Sequence, residues 1–191
     1  MNEILPIYTY GSPILRKKTK KVAELDDKLI NLIGDMFATL YQAYGVGLAA
    51  PQVGVNLALT VIDISQSEEN VKTRKPLTLI NPVILDSHGE SYMEEGCLSI
   101  PELKGVVKRP SEIYVEYMDI NSQIARTEFK GFLARVAQHE IDHLNGILYI
   151  DYFSKEEQRK IKPQLEKIRK GDFVANYLVA EINNSQSLRK S

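Results

Sequence analysis

Gln138-His139-Glu140-Ile141-Asp142-His143-Leu144-Asn145-Gly146 holds two of the chain's three histidines and sets a glutamate beside the first. His139 and His143 are four apart, so on a helix their rings leave one face a turn apart and can hold one ion between them. Glu140 lies about 100° round the same helix and flanks that ion. A carboxylate there need not be a ligand, because it can take a proton from water at the ion and later return it, as hydrolysis requires. Phe132, Leu133, Ala134, Val136, Ala137, Ile141 and Leu144 cover most of the circumference, which predicts a helix buried on nearly all sides. Arg135, His139 and Asp142/His143 recur at steps of three or four as one polar stripe in that apolar rod, and buried polar groups need partners. Gly146 is expected to end the helix from just beyond its cap.

Working outward, Ile113 to Tyr117 and Ile124 to Phe129 partly alternate around the turn Asp119-Ile120-Asn121-Ser122, a hairpin that feeds the helix through Lys130-Gly131. Farther upstream, Glu94-Glu95-Gly96-Cys97-Leu98-Ser99-Ile100-Pro101 carries the only cysteine. Alone, Cys97 would read as a small buried hydrophobe. Beside two histidine ligands, a soft thiolate completes a Cys-His-His set and leaves the fourth position of a tetrahedral ion open to water, the arrangement of a catalytic site. Gly45-Val46-Gly47-Leu48-Ala49-Ala50-Pro51-Gln52-Val53-Gly54 is rich in glycine, which indicates a tight backbone path that other groups approach closely. It lacks the Lys-Ser/Thr or second glycine pattern of a phosphate loop. Gln52, an amide on a rigid loop, can donate a hydrogen bond to an oxygen that gains charge.

From Asp26-Asp27 to Gly45, Leu29, Ile30, Ile33, Met36, Phe37, Leu40 and Tyr41 recur at helical spacing, an amphipathic helix packed on a core. Before it, residues 1–25 read as an irregular lead-in whose basic run, Arg16 to Lys21, is a solvated surface. Leu57 to Ile64 reads as a strand, Ser65 to Lys75 as a polar loop, and Thr78 to Leu85 as a strand with a bend or an edge position at Asn81-Pro82. His88 falls in an exposed turn. Ser154-Lys155-Glu156-Glu157 is a capping box opening a C-terminal helix that Pro163 kinks or restarts. Lys155 to Lys170 carries seven Lys/Arg against three Glu.

With 191 residues, 43% of them hydrophobic, the chain can bury one substantial core. A single domain over 1–182 is expected, with 183–191 a disordered tail. A net charge of −1 gives no reason to expect DNA as a partner. One cysteine makes no intrachain disulfide, no segment approaches the ~20 apolar residues of a membrane span, and the first residues lack a secretory pattern. No membrane partner and a reducing, cytoplasmic location are the expectations.

Taken together in this order, Gly45 to Gln52, Glu95-Gly96-Cys97-Leu98-Ser99 and Gln138 to His143 closely resemble the three signature motifs of peptide deformylases. The resemblance spans residues from about 5 to 170. It implies an α+β fold: antiparallel sheets around a central metal-binding helix, with an N-terminal amphipathic helix and a C-terminal helix. It implies a hydrolase that removes the formyl group from the initiator methionine of N-formylmethionyl nascent polypeptides in bacteria and releases formate. By the same resemblance Cys97, His139 and His143 bind the metal, Glu140 is the general acid and base, and Gln52 with the Leu98 backbone N–H steadies the oxyanion. The family's usual ion is iron(II), Fe2+, with Zn2+ or Ni2+ able to replace it. Glu95 is expected to pair with Arg109 or Arg135 and hold the cysteine loop. Gly45, Val46, Gly47, Phe132 and Val136 are expected to line an apolar slot for the methionine side chain. The basic C-terminal segment could meet ribosomal RNA. Two other readings compete: a zinc endopeptidase, which would usually take its third ligand downstream of His143, and a metal-binding module without catalysis.

Overall fold

Leu59-Thr60-Val61-Ile62 is buried at all four positions, which a strand permits only when both of its faces are covered. The computed structural model describes residues 2–65 and 75–181 and supplies both covers. Residues 66–74 of the loop expected over Ser65 to Lys75, and the whole tail expected over 183–191, lie outside the described residues. The described residues form α1 (Asp27–Gln42), β1 (Gly47–Ala49), β2 (Leu59–Ile62), β3 (Leu77–His88), β4 (Ser91–Cys97), β5 (Ile100–Arg109), β6 (Glu112–Met118), β7 (Ile124–Lys130), α2 (Gly131–Leu144) and α3 (Lys155–Arg169). Five strands make an antiparallel sheet in the order β1-β2-β3-β6-β7, while β4 and β5 pair separately as a hairpin. This is the expected α+β architecture of antiparallel sheets around a central helix.

Neighbouring strand residues face opposite ways, so each face of the large sheet takes its own helix. Ile62, Leu79, Val115 and Phe129 pack with Leu133, Ala134, Ala137 and Ile141 of α2. Val61, Leu59 and Ile80 pack with Leu29, Ile33, Met36 and Leu40 of α1. Met36 and Leu40 are wholly buried, and truncating such a leucine to alanine costs about 2–5 kcal/mol. Asp26 caps α1, its carboxylate accepting from the Leu29 N–H at 2.8 Å. The left-handed residue that ends the helix is Tyr44 (φ 54°), not Gly45. A third cluster joins Ile100, Leu103 and Val107 of β5 to Tyr149, Phe153, Leu165 and Ile168, so α3 and its lead-in cover the hairpin.

Of the two readings of Asn81-Pro82, the bend is the one found. β3 pairs on both sides, and its register with β6 shifts between Ile80 and Val83, where the proline has no N–H to give the ladder. Asn81 takes φ 52° and ties Val22 through hydrogen bonds of 2.8 Å in both directions. Pro163 neither splits nor ends α3, which runs through it. The basic run departs from a purely solvated surface: Arg16 pairs with Asp151 at 2.5 Å and reaches the Gly146 carbonyl at 3.3 Å. His88 closes β3 with its imidazole exposed and 3.0 Å from Asp86.

Candidate metal centre

α2 is buried along nearly its whole length, and its polar groups converge on the end of the β4–β5 hairpin. That hairpin runs in register to Gly96, then shifts so that Cys97 pairs with Ile100, leaving Leu98 and Ser99 as a two-residue tip. The shift turns Cys97 toward α2. Its Sγ lies 3.2 Å from His143 Nε2, and the ligand atoms of Cys97, His139 and His143 all fall within 4.8 Å of one another. Atoms that share one ion at about 2.0–2.3 Å are themselves about 3.5 Å apart, so this sulfur and these two nitrogens fit a tetrahedral ion. His139 Nδ1 donates to the Glu95 carboxylate at 2.9 Å, which leaves its Nε2 as the free lone pair. His143 is held well below its ordinary pKa, chiefly by burial, and a neutral ring is what a metal ligand must be.

Glu140 sits beside this set with only 4% of its surface exposed. Its Oε2 is buried with no hydrogen-bond partner among the described residues, an unusual state for a carboxylate unless solvent or a substrate completes it. Burial, the largest influence, pushes its carboxyl up to about 7. A group held there exchanges protons readily near neutral pH. Gly47 makes room for it, since a Cβ on residue 47 would lie 2.5 Å from Glu140 Oε1. Gln52 is fixed at both ends of its amide: Oε1 accepts from the Ala49 N–H at 2.8 Å, and Nε2 lies 3.3 Å from Ser99 Oγ and 3.6 Å from Cys97 Sγ. The glycine-rich stretch therefore aims a donor at the ion site. Cys97, His139, Glu140, Gln52 and Leu98 border one cleft of about 940 Å3, together with Gly45, Val46, Gly47, Phe132 and Val136. His143 lies deeper, 1% exposed.

Behind Cys97, His139 and His143 runs a buried charged network. The Glu95 carboxylate accepts from Arg109 Nε (2.7 Å) and Nη2 (3.0 Å), from Arg135 Nη1 (2.7 Å) and from His139. Burial alone would raise its pKa, but hydrogen bonds from His139 and Arg109 hold it at about 2. Glu95 pairs with both arginines rather than one. Arg135 also donates to the carbonyls of Val107 (2.8 Å) and Ser91 (2.7 Å), stitching α2 to the hairpin. Arg109 Nη1 donates to Asp142 at 2.6 Å, and the Tyr152 hydroxyl donates to the same carboxylate at 2.9 Å.

Three signature stretches thus meet at one site, and comparison with known proteins decides the family. The family model for polypeptide deformylase matches residues 4–159. A peptide deformylase of Chlorobaculum tepidum is 45% identical over 185 residues, covering 96% of this chain and 98% of its own. The chain belongs to the polypeptide deformylase family. Among solved structures, a peptide deformylase from Legionella pneumophila is 40% identical, with a TM-score of 0.79 over 87% of this chain and 96% of its own. A Met-Ala-Ser-bound class I type b peptide deformylase from Acinetobacter baumannii is 33% identical, with a TM-score of 0.76 over 80% of this chain and 100% of its own. As a deformylase, the protein is a metal-dependent hydrolase that removes the N-formyl group from nascent polypeptides. The endopeptidase reading loses its ground, because the third candidate ligand is Cys97, upstream of the helix.

Sequence reading alone missed several groups of this deformylase site. Tyr149, 1% exposed, stacks on His139 with ring centroids 6.0 Å apart and donates to the Leu103 carbonyl at 2.8 Å. Tyr152 lies under the Arg109 guanidinium, 4.7 Å from its centroid. Nothing in the spacing of either tyrosine signals the role; only the Tyr149 hydroxyl, which needs a partner once buried, hints at it.

Proposed function

We propose that Cys97, His139 and His143 hold the ion and that Glu140 moves the proton. The convergence of one sulfur and two imidazole nitrogens beside the unpartnered Glu140 oxygen carries this reading. When bound, the ion supplies positive charge that makes water acidic and nucleophilic near neutral pH. Glu140 takes a proton from the attacking water as its oxygen bonds to the formyl carbon. Gln52 Nε2–H and the Leu98 N–H donate to the former carbonyl oxygen as it gains charge, a contribution of about 3 kcal/mol per donor. Glu140 then gives the proton to the departing amine, the C–N bond breaks, and formate and a free N-terminus leave. Val46, Phe132 and Val136 form the methionine slot, with Gly45 and Gly47 keeping the wall thin.

Formate release from formyl-Met-Ala-Ser by protein prepared without air, with its metal content measured, tests these roles. Release that stops in Glu140→Gln while the metal is retained is the expected result. Metal content unchanged by Cys97→Ala, or cleavage of internal bonds in blocked peptides, would overturn the assignment.

We propose iron(II) as the native ion because the resemblance to peptide deformylases implies it; a thiolate with two imidazoles accepts zinc or nickel as well and does not choose among them. A thiolate at ferrous iron is readily oxidised, so activity should decay in air in step with Cys97 modification. Steady activity after prolonged aeration with iron retained would refute iron. We place the enzyme in a bacterial cytoplasm as one catalytic domain over 1–182, where its nascent substrates emerge. Its docking face is α3, whose Lys155, Arg159 and Lys162 border a second cleft of about 420 Å3 with Arg16. Ribosome binding that does not weaken with added salt would exclude a phosphate contact there.

A further inference from the structure

Beyond α3 the chain turns back over the site. From Phe173 to Ala180 exposure alternates: Phe173, Ala175, Tyr177 and Val179 are half-buried, while Val174, Asn176 and Leu178 are exposed. A period of two lays one face of the segment on the protein and leaves the other open, with backbone bends at Phe173 and at Asn176 and Tyr177. Both ends of this strap are fixed. Phe173 packs on the cluster of Ile100, Leu103 and Ile168. At the other end, Ile7 N–H donates to the Leu178 carbonyl and Ala180 N–H to the Ile7 carbonyl, each at 2.9 Å. Between these anchors the Tyr177 hydroxyl donates to the Leu98 carbonyl at 2.7 Å. Leu98 occupies the hairpin tip next to Cys97, and its own N–H is one of the two proposed oxyanion donors. Val174, Ala175, Asn176 and Tyr177 border the same cleft as Cys97, His139 and Glu140.

The strap therefore touches the site in two ways, by a hydrogen bond to its backbone and by its outward side chains along the rim. We propose that the C-terminal strap is a working wall of the substrate groove: Tyr177 positions the Leu98 tip, and Val174 with Asn176 contacts the nascent chain beyond its methionine. The inference rests on the deformylase reading. With the formyl group at Glu140 and the methionine between Val46, Phe132 and Val136, the following residues have to leave across the rim. The strap offers them no charge there, whereas Glu94, Glu102 and Lys104 elsewhere on the cleft are charged. An uncharged wall accepts any sequence, which suits an enzyme that meets every nascent chain. A charge placed on it creates a preference.

Two variants of the full-length, metal-loaded protein test the strap. Tyr177→Phe keeps the ring and loses the donor. The expected result is a kcat for formyl-Met-Ala-Ser lower by about fivefold with KM unchanged, beside the small fall in melting temperature that one lost hydrogen bond brings. Val174→Asp should raise the ratio of kcat/KM for formyl-Met-Ala-Lys over formyl-Met-Ala-Glu by about threefold, as one exposed charge does. Wild-type kcat in Tyr177→Phe, a fall in kcat matched by an equal rise in KM, or an unmoved Lys/Glu ratio in Val174→Asp would overturn it. Dissociation constants for the products Met-Ala-Lys and Met-Ala-Glu read the same preference without turnover. Protein that binds them with the Val174→Asp preference but releases no formate would sink the deformylase roles and leave the strap standing. Formate release with no such preference would do the reverse.

Discussion

α2 and α3 are nearly equal in length, 14 and 15 residues, and both carry ion-paired side chains, yet the pairing does different things in each. In α3, Lys160 meets Glu156 at 2.7 Å with 70% and 76% of the two side chains exposed. In α2, Arg135 meets Glu95 at the same 2.7 Å with 4% and 5% exposed. Water already satisfies the first pair, and its geometry is free to change. The second pair has no such substitute, so each buried charge dictates where its partners stand. Distance alone does not reveal what an ion pair does; burial and the number of partners do. Glu95 binds two arginines and His139, and β4, β5 and α2 are thereby held in one arrangement.

That contrast can be broken by experiment. Glu95→Ala takes the shared carboxylate from two buried guanidinium groups and frees the His139 ring, so urea unfolding should register a loss of about 3–5 kcal/mol. Its metal affinity should fall by about 10- to 100-fold. Metal binding of wild-type strength in that variant would deny the network any role in orienting the ligands. Gly47→Ala forces Glu140 aside without touching a ligand, and steady-state assays should find activity down by about 100-fold at full metal occupancy. Undiminished turnover there would mean that Glu140 is not held by this contact. Asp142→Asn keeps the shape and removes the charge that Arg109 and Tyr152 share, a loss of about 1–3 kcal/mol in the same unfolding experiment.

On α3 the effects shrink. Hydrogen bonds from the Ser154 side chain and backbone lower the Glu157 pKa, so its capping contribution is present above its ordinary value and fades as pH falls through the lowered one. The difference in melting temperature between wild type and Glu157→Gln should therefore narrow between pH 6 and pH 3. A constant difference would remove the carboxylate from the cap. Lys160→Ala should leave the urea midpoint in place, and a clear shift would put α3's pairs on the same footing as those of α2.

The sequence made α2 readable because its histidines, its apolar circumference and Gly146 speak through neighbours three to eight residues away, the range over which helical spacing operates. The β6–β7 hairpin and α1 were readable for the same reason. The β4–β5 hairpin was not read as strands. Gly96, Pro101 and Gly105 interrupt its alternation, and charged residues such as Glu94, Glu102 and Lys104 occupy its open face. Cys97 entered the ligand set only because two histidines had already called for a third donor. Glu95 was matched to the correct arginines, but the tie from Arg109 to Asp142 spans 33 residues, and no local pattern encodes it. Tyr177 is farther still, 79 residues from Leu98, and seven of the eight residues from Phe173 to Ala180 are apolar, a run with no polar alternation to show which face lies on the protein.

Gly146, at φ 72°, passes so near the start of the chain that a Cβ there would lie 2.7 Å from the Arg16 carbonyl oxygen. Close by, Thr19 donates to the Leu144 carbonyl through its N–H at 2.9 Å and its hydroxyl at 3.0 Å. The open end of α2 is thus sealed by residues that joined the chain more than a hundred peptide bonds earlier. Translation must therefore pass Gly146 before Arg16 and Thr19 meet these partners, so this closure is made late, whereas Tyr8 and Lys20 of the same segment find Gln52 and Ala58 far sooner.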